Sequence, residues 1–293
     1  MTTQNIIIQN RNVRFISWGD PEKPLIIGIH GLGGSACTFH EVAHQLMHDY
    51  HLVSIDLPGH GKSEDLDTDY SPDYLMPWLS QVIDTITKQP FYLLAHSYGA
   101  SVALHFSAAY PDRVKKSILL DGGYHDPEYG YAYFTGLYEK GQLDYKPFMC
   151  FEDEKNYYID DFDGYVFDDF EGAVQAELDN HTNLNPLKRT MIEDLIVERN
   201  GKFCWHANGT TAVKALNFQY NSQKTLAFER IMAKTKLIYA DQPAEYYQSR
   251  IEQIAIFKSK FDVDCVLYEN TGHMVHYDQP ERLSDDIRAF FLV

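Results

Sequence analysis

The sequence predicts an α/β protein built on a mostly parallel sheet whose order is interrupted once. Three observations carry that prediction. Short continuous apolar runs alternate with segments of helical spacing as far as Gly123, the alternation stops over residues 124–225, and it then resumes to the end of the chain. Buried strands separated by helices are the pattern of parallel sheets, because a parallel pair needs a long crossover.

The elements follow in order. NIIIQNRNVRFISWGD holds two β-rich pieces around the turn residues Asn10 to Asn12. PLIIGIHG is a continuous apolar strand, and FHEVAHQLMHDY after it carries apolar residues at helical spacing. Strand HLVSIDLPG, helix YLMPWLSQVIDTITKQ, strand FYLLAH, helix GASVALHFSAAYPDRV and strand KSILLDGG continue the alternation. The interruption is rich in tyrosine, phenylalanine and acids, and reads as an inserted, mainly helical cap. Strand KLIYAD, helix EYYQSRIEQIAIFKSKF, strand VDCVLYENTGH and helix PERLSDDIRAFFLV complete the chain. The expected division is a core of residues 1–123 and 226–293 around a cap of residues 124–225.

Composition narrows the function classes. A chain of 293 residues with 44% hydrophobic content can bury a sizeable core. Its net charge of −17 gives no basic footprint for nucleic acid or an anionic membrane. The four cysteines, Cys37, Cys150, Cys204 and Cys265, are scattered without metal-ligand spacing, which suits a reducing compartment. The stretch MTTQNIIIQNRN has no basic region leading into a long apolar one, and no run has the length of a membrane span. The expectation is a cytoplasmic protein acting on a small molecule, with no metal and no cofactor.

The chemistry centres on Ala95-His96-Ser97-Tyr98-Gly99, a small-x-Ser-x-Gly sequence where a strand meets a helix. A sharp turn there brings backbone close on both sides of the serine, so its neighbours must be small. The hydroxyl then stands clear of the sheet, and the Tyr98 amide points from a helix N-terminus at developing negative charge. Taken alone, Ser97 reads equally well as a helix cap. A nucleophilic serine needs a base, and Asn270-Thr271-Gly272-His273-Met274 puts His273 in the loop after the last strand. His276 lies further toward the final helix and is the weaker candidate. The glycine-rich loop His30-Gly31-Leu32-Gly33-Gly34 follows an early strand and offers the Leu32 amide as second oxyanion donor.

Together HGLGG, DLPGHGKS, AHSYGA and GHMVHYDQPERL, in that order, resemble the α/β-hydrolase family over nearly the whole chain. The resemblance implies an α/β-hydrolase fold with an eight-stranded, mostly parallel sheet, a lid after the sixth strand, and serine, acid and histidine in that chain order. The acid is where the sequence departs from the family. Many members place it about three residues into the loop after strand seven, where Tyr239-Ala240-Asp241-Gln242-Pro243 has proline. Other members carry it directly after strand six, where this chain has Asp121 before Gly122 and Gly123. Asp121 is the favoured acid, Asp241 the alternative, and Glu245 a lesser one. The segment Asp56 to Ser63 shapes a tight loop, and His30 and His96 read as structural.

These residues describe a serine hydrolase that cleaves a small, mostly apolar carboxylic ester through an acyl-enzyme. Cap aromatics such as Tyr131, Phe134 and Tyr158 suit an apolar acyl group, and the many carboxylates of the insert disfavour anionic substrates if they surround the entrance. Two rivals remain. Gly31 to Ala36 also satisfies G-x-G-x-x-[GA], with Asp56 at the end of the next strand, which is the outline of an NAD-binding Rossmann loop. A hydrolase-fold protein that binds without turnover is the other. Thioester, amide and C–C bond hydrolysis use the same kind of site as ester hydrolysis.

Overall fold

A computed structural model of the chain describes residues 1–292. The N-terminal pieces form a hairpin, β1 (Thr2–Ile8) and β2 (Arg11–Trp18), turned at Gln9 and Asn10, both at positive φ. The alternating part follows as β3 (Leu25–Ile29), α1 (His40–Leu46), β4 (His51–Ile55), α2 (Pro72–Ile86), β5 (Phe91–His96), α3 (Tyr98–Ala109) and β6 (Val114–Leu120). Helix α3 stops before Pro111, which cannot continue it.

The inserted region holds α4 (Pro127–Glu139), α5 (Phe151–Gly164), β7 (Val166–Phe167), α6 (Phe170–Leu178), α7 (Pro186–Glu193), β8 (Ile196–Arg199), β9 (Lys202–Trp205) and α8 (Gly209–Thr225). Then come β10 (Lys234–Ala240), α9 (Ala244–Lys260), β11 (Val263–Tyr268), α10 (Val275–Asp278) and α11 (Pro280–Phe291). The large sheet has eight strands in the order β1-β2-β4-β3-β5-β6-β10-β11. Pairing is antiparallel from β1 to β4 and parallel from there on.

Strand periodicity distributes the core over both faces of this sheet. Ile27, Ile29, Val53 and Leu93 point to the side covered by α2, α3 and α9, where Leu79, Phe106 and Phe257 meet them. Ile26, Leu52, Leu94 and Ile118 point to the other side, covered by α1 and α11 through Leu46 and Ile287. Both faces of the central strands are therefore buried, which is why they read as continuous apolar runs.

The insert has a small core of its own, Ala173, Val174, Leu178, Ile192 and Ile196. Besides helices it contains a three-stranded antiparallel sheet, β7-β9-β8, around the turn at Asn200 and Gly201. The insert is mainly helical, as the sequence predicts, and this small sheet is the part the sequence did not show. Its strands are two to four residues long, too short to show periodicity.

A buried charge cluster fastens the insert to the sheet. Arg14 on β2 donates to both oxygens of Asp56, at 2.5 and 3.0 Å, and to both oxygens of Asp194, which follows α7, at 2.6 and 2.7 Å. Asp56 also accepts the Ala36 and Lys62 amides, so the whole carboxylate is satisfied without water. Nearby, Trp205 and His206 of the insert hydrogen-bond the Gly33 carbonyl at 3.0 and 2.9 Å. Among the described residues, no helix is long and apolar enough to cross a membrane.

Two consequences are measurable in melts monitored by circular dichroism. Arg14→Met leaves Asp56 and Asp194 as unpaired buried carboxylates and is expected to cost about 3–5 kcal/mol. Asp194→Asn keeps the Arg14–Asp56 pair and is expected to cost less, about 1–2 kcal/mol.

Candidate active site

Ser97 sits between β5 and α3 at φ 53° and ψ −120°, a backbone conformation that a residue with a side chain rarely adopts. Close packing holds it there. A Cβ at Gly99 would lie 2.3 Å from the His30 carbonyl oxygen, and one at Gly122 would lie 2.4 Å from that of Ser97. The Ser97 amide donates to the Leu120 carbonyl at 2.9 Å, tying the turn to the end of β6. The side chain makes no cap hydrogen bond, so the helix-cap reading of Ser97 does not describe this structure.

The Ser97 hydroxyl instead meets His273 Nε2 at 2.8 Å. His273 Nδ1 meets Asp121 Oδ2 at 2.8 Å, so that one imidazole bridges hydroxyl and carboxylate. Asp121 lies just past β6, itself at φ 41°, with its side chain fully buried. It also accepts from Arg250 Nη2 at 3.3 Å, the Tyr124 hydroxyl at 3.1 Å and the Ala240 amide at 3.3 Å. Burial pushes the Asp121 carboxyl up. The hydrogen bond and charge of His273, together with the Arg250 guanidinium, outweigh it and hold the group down at about 2.

The loop carrying His273 is fixed from two sides. His96 Nε2 donates to the His273 carbonyl at 2.9 Å, with burial pushing the His96 imidazole down to about 3, so it stays neutral. Asp241 accepts the Asn270 and Thr271 amides at 2.9 and 3.1 Å and so braces the start of that loop. Asp241 is occupied with backbone, Glu245 is exposed on α9, and of the three acids weighed from sequence only Asp121 touches His273. His276 is 1% exposed and packs against the His96 ring at 4.5 Å, away from the hydroxyl.

Leu32 and Ser97 line one cavity of about 650 Å³ together with His273 and residues of the insert. The Leu32 amide donates no hydrogen bond among the described residues. The Tyr98 amide opens α3, where no carbonyl one turn back can accept it. Neither amide therefore has a backbone partner among the described residues. The cavity at Ser97 is walled by aromatic side chains from α4, α5 and the intervening segment, including Tyr131, Phe134, Phe148 and Tyr158.

The nucleotide-loop reading fails on the same geometry. Asp56 is consumed by Arg14 and two amides and is not free to bind a ribose, and Gly31 packs against His96 and Ser97. Sequence reasoning missed Arg250, which is 7% exposed and donates to Asp121, Tyr124 and the Ala240 carbonyl. A lone arginine within a helix rich in charge carries no sequence signal of burial. The bracing role of Asp241 was equally invisible.

Comparison with known proteins agrees with this architecture. The sequence profile of the Alpha/beta hydrolase family matches residues 26–286. The chain is 33% identical to (E)-2-((N-methylformamido)methylene)succinate hydrolase of Acinetobacter baylyi over 115 residues, 39% of this chain and 43% of that protein. It is 25% identical to a serine hydrolase-like protein of Danio rerio over 93% of this chain and 83% of the relative. The solved structure of E-2-(acetamidomethylene)succinate hydrolase superimposes with a TM-score of 0.74 at 18% identity, covering 100% of this chain and 99% of that one. With its parallel sheet, its serine at the strand-to-helix turn and a family profile spanning nearly its whole length, this chain belongs to the alpha/beta hydrolase family.

Proposed function

We propose that the protein is a serine hydrolase cleaving a carboxylic ester with a mostly apolar acyl group, through Ser97, His273 and Asp121. The observation that carries this reading is the unbroken hydrogen-bonded chain from the Ser97 hydroxyl through His273 to the buried Asp121 carboxylate, opening on an aromatic cavity.

His273 Nε2 takes the Ser97 proton as the serine oxygen attacks the ester carbonyl. The amides of Leu32 and Tyr98 hold the oxyanion of the tetrahedral intermediate. The C–O bond then breaks, and His273 returns the proton to the departing alcohol. Water adds to the acyl-enzyme with His273 again as base, releasing the acid and restoring Ser97. Asp121 fixes the tautomer with Nδ1 protonated and stabilises the imidazolium, and its depressed pKa keeps it ionised throughout.

The names of the Acinetobacter relative and the superimposed hydrolase favour a second reading, cleavage of a bond to an amide-type nitrogen. The same oxyanion donors serve that reaction. Both named substrates are succinates, however, and the one guanidinium lining this cavity, Arg250, is already taken by Asp121.

Turnover of p-nitrophenyl esters of graded acyl length tests the proposal. Ser97→Ala and Asp121→Asn are each expected to lower kcat by about a thousandfold or more. Asp241→Asn is expected to cost less than about tenfold, because it loosens a loop and leaves the Asp121–His273 contact in place. Loss in Asp241→Asn with Asp121→Asn still active would reverse the assignment of the acid.

A further inference from the structure

The cavity that opens on Ser97 also contains a carboxylate that the proposed reaction leaves unused. Glu154, in the first turn of α5, lines it. Its Oε2 accepts a hydrogen bond from the Tyr131 hydroxyl across from α4, and no cation pairs with it among the described residues. The neighbouring ammonium, Lys155, pairs with Glu152 at 2.8 Å instead. Burial raises the Glu154 carboxyl, and the Tyr131 hydrogen bond only partly offsets that. A part-buried carboxylate of this kind is costly to keep unless a ligand compensates it.

Its surroundings define which ligand would do so. Aromatic rings of Tyr131, Phe134, Phe148, Phe151, Tyr157 and Tyr158 line the same cavity. Phe148 and Tyr157 approach to 5.3 Å between centroids, and Tyr157 and Tyr158 to 5.5 Å, so these three rings are contiguous. Ring faces and one carboxylate together suit an alkylammonium group, which is weakly hydrated and gains from both. The other charges of the cavity do not compete. Arg250 is committed to Asp121 and the Ala240 carbonyl, His125 is pushed down to about 4 by burial, and Asp126 caps α4. Lys146 is exposed at the rim. The chain's net charge of −17 adds a long-range attraction for cations.

We infer that Glu154 and the rings around it form a subsite for a cationic amine, so that the preferred substrate is an ester whose acyl chain ends in an ammonium group. This rests on the proposed ester hydrolysis for its catalytic half only. Glu154 acts on specificity by binding the far end of the substrate, away from the reacting carbonyl.

The test compares three p-nitrophenyl esters of similar length: trimethylammoniohexanoate, its neutral isostere ending in a tert-butyl group, and the suberate half-ester. In the wild-type enzyme the cationic ester is expected to exceed the neutral one in kcat/KM by at least about tenfold, through KM. In Glu154→Gln, which keeps the size and the Tyr131 hydrogen bond, that ratio is expected to fall toward one. Equal rates for cationic and neutral esters overturn the inference. So does a cationic preference that survives in Glu154→Gln, or a preference for the suberate ester, which would assign the subsite to Lys146. Calorimetric binding of hexyltrimethylammonium to the wild-type, Ser97→Ala and Glu154→Gln proteins separates this inference from the reaction itself. Binding to the first two and about tenfold weaker binding to the third supports the subsite even if no ester is turned over. Equal or absent binding in all three overturns it.

Discussion

One buried carboxylate organises the site. Asp121 joins the end of β6 to the end of β10 through the Ala240 amide, to α9 through Arg250, and to the loop after β11 through His273. The three donor segments all lie more than a hundred positions from Asp121 in sequence, and each supplies a donor to the same two oxygens. Removing such a group from water is expensive, and an ionised carboxylate persists there only because four donors replace its hydration. The balance falls on the side of ionisation, as its low pKa shows. The imidazole is therefore held in one orientation by a group that is itself held from three other directions.

The serine depends on a different constraint, the steric one. Positive φ at Ser97 and again at Asp121 costs energy that only close packing can impose. The glycines at 99 and 122 let strand ends and helix start approach to contact, with no space for a methyl group at either position. Strain and charge thus fix opposite ends of the same hydrogen-bonded chain, and the imidazole between them is the one member with substantial exposure, 44% of its side chain. Exposure at that point is what the proposed base needs to meet a substrate.

These two constraints explain which features were legible in the sequence. Steric requirements leave a local mark: small residues around Ser97, a glycine pair after Asp121, and continuous apolar strands with helices between them. The mostly parallel sheet, the serine turn and the glycine loop were read from such marks, and the count of eight strands followed from the family resemblance. Electrostatic partnerships leave none, because their members are brought together by the fold. Arg250 meets Asp121 across 129 positions and Arg14 meets Asp194 across 180. The short strands of the insert escaped for a third reason, being too brief to display a period.

The choice of acid shows how the two kinds of information combine. Strands β6 and β10 are neighbours with parallel register, Leu120 opposite Ile238, so a carboxylate at the end of either is close to the loop that follows β11. Sequence position alone leaves both available. What separates them is their partners: Asp241 accepts two loop amides and Asp121 accepts the imidazole, an arginine and a tyrosine hydroxyl. Asp241 spends its oxygens on the loop backbone and does not meet the ring, whereas Asp121, supported by a buried arginine, remains charged beneath it. The arginine on α9 therefore supports the strand-end carboxylate that meets the imidazole, and the aspartate after β10 holds the histidine loop in register.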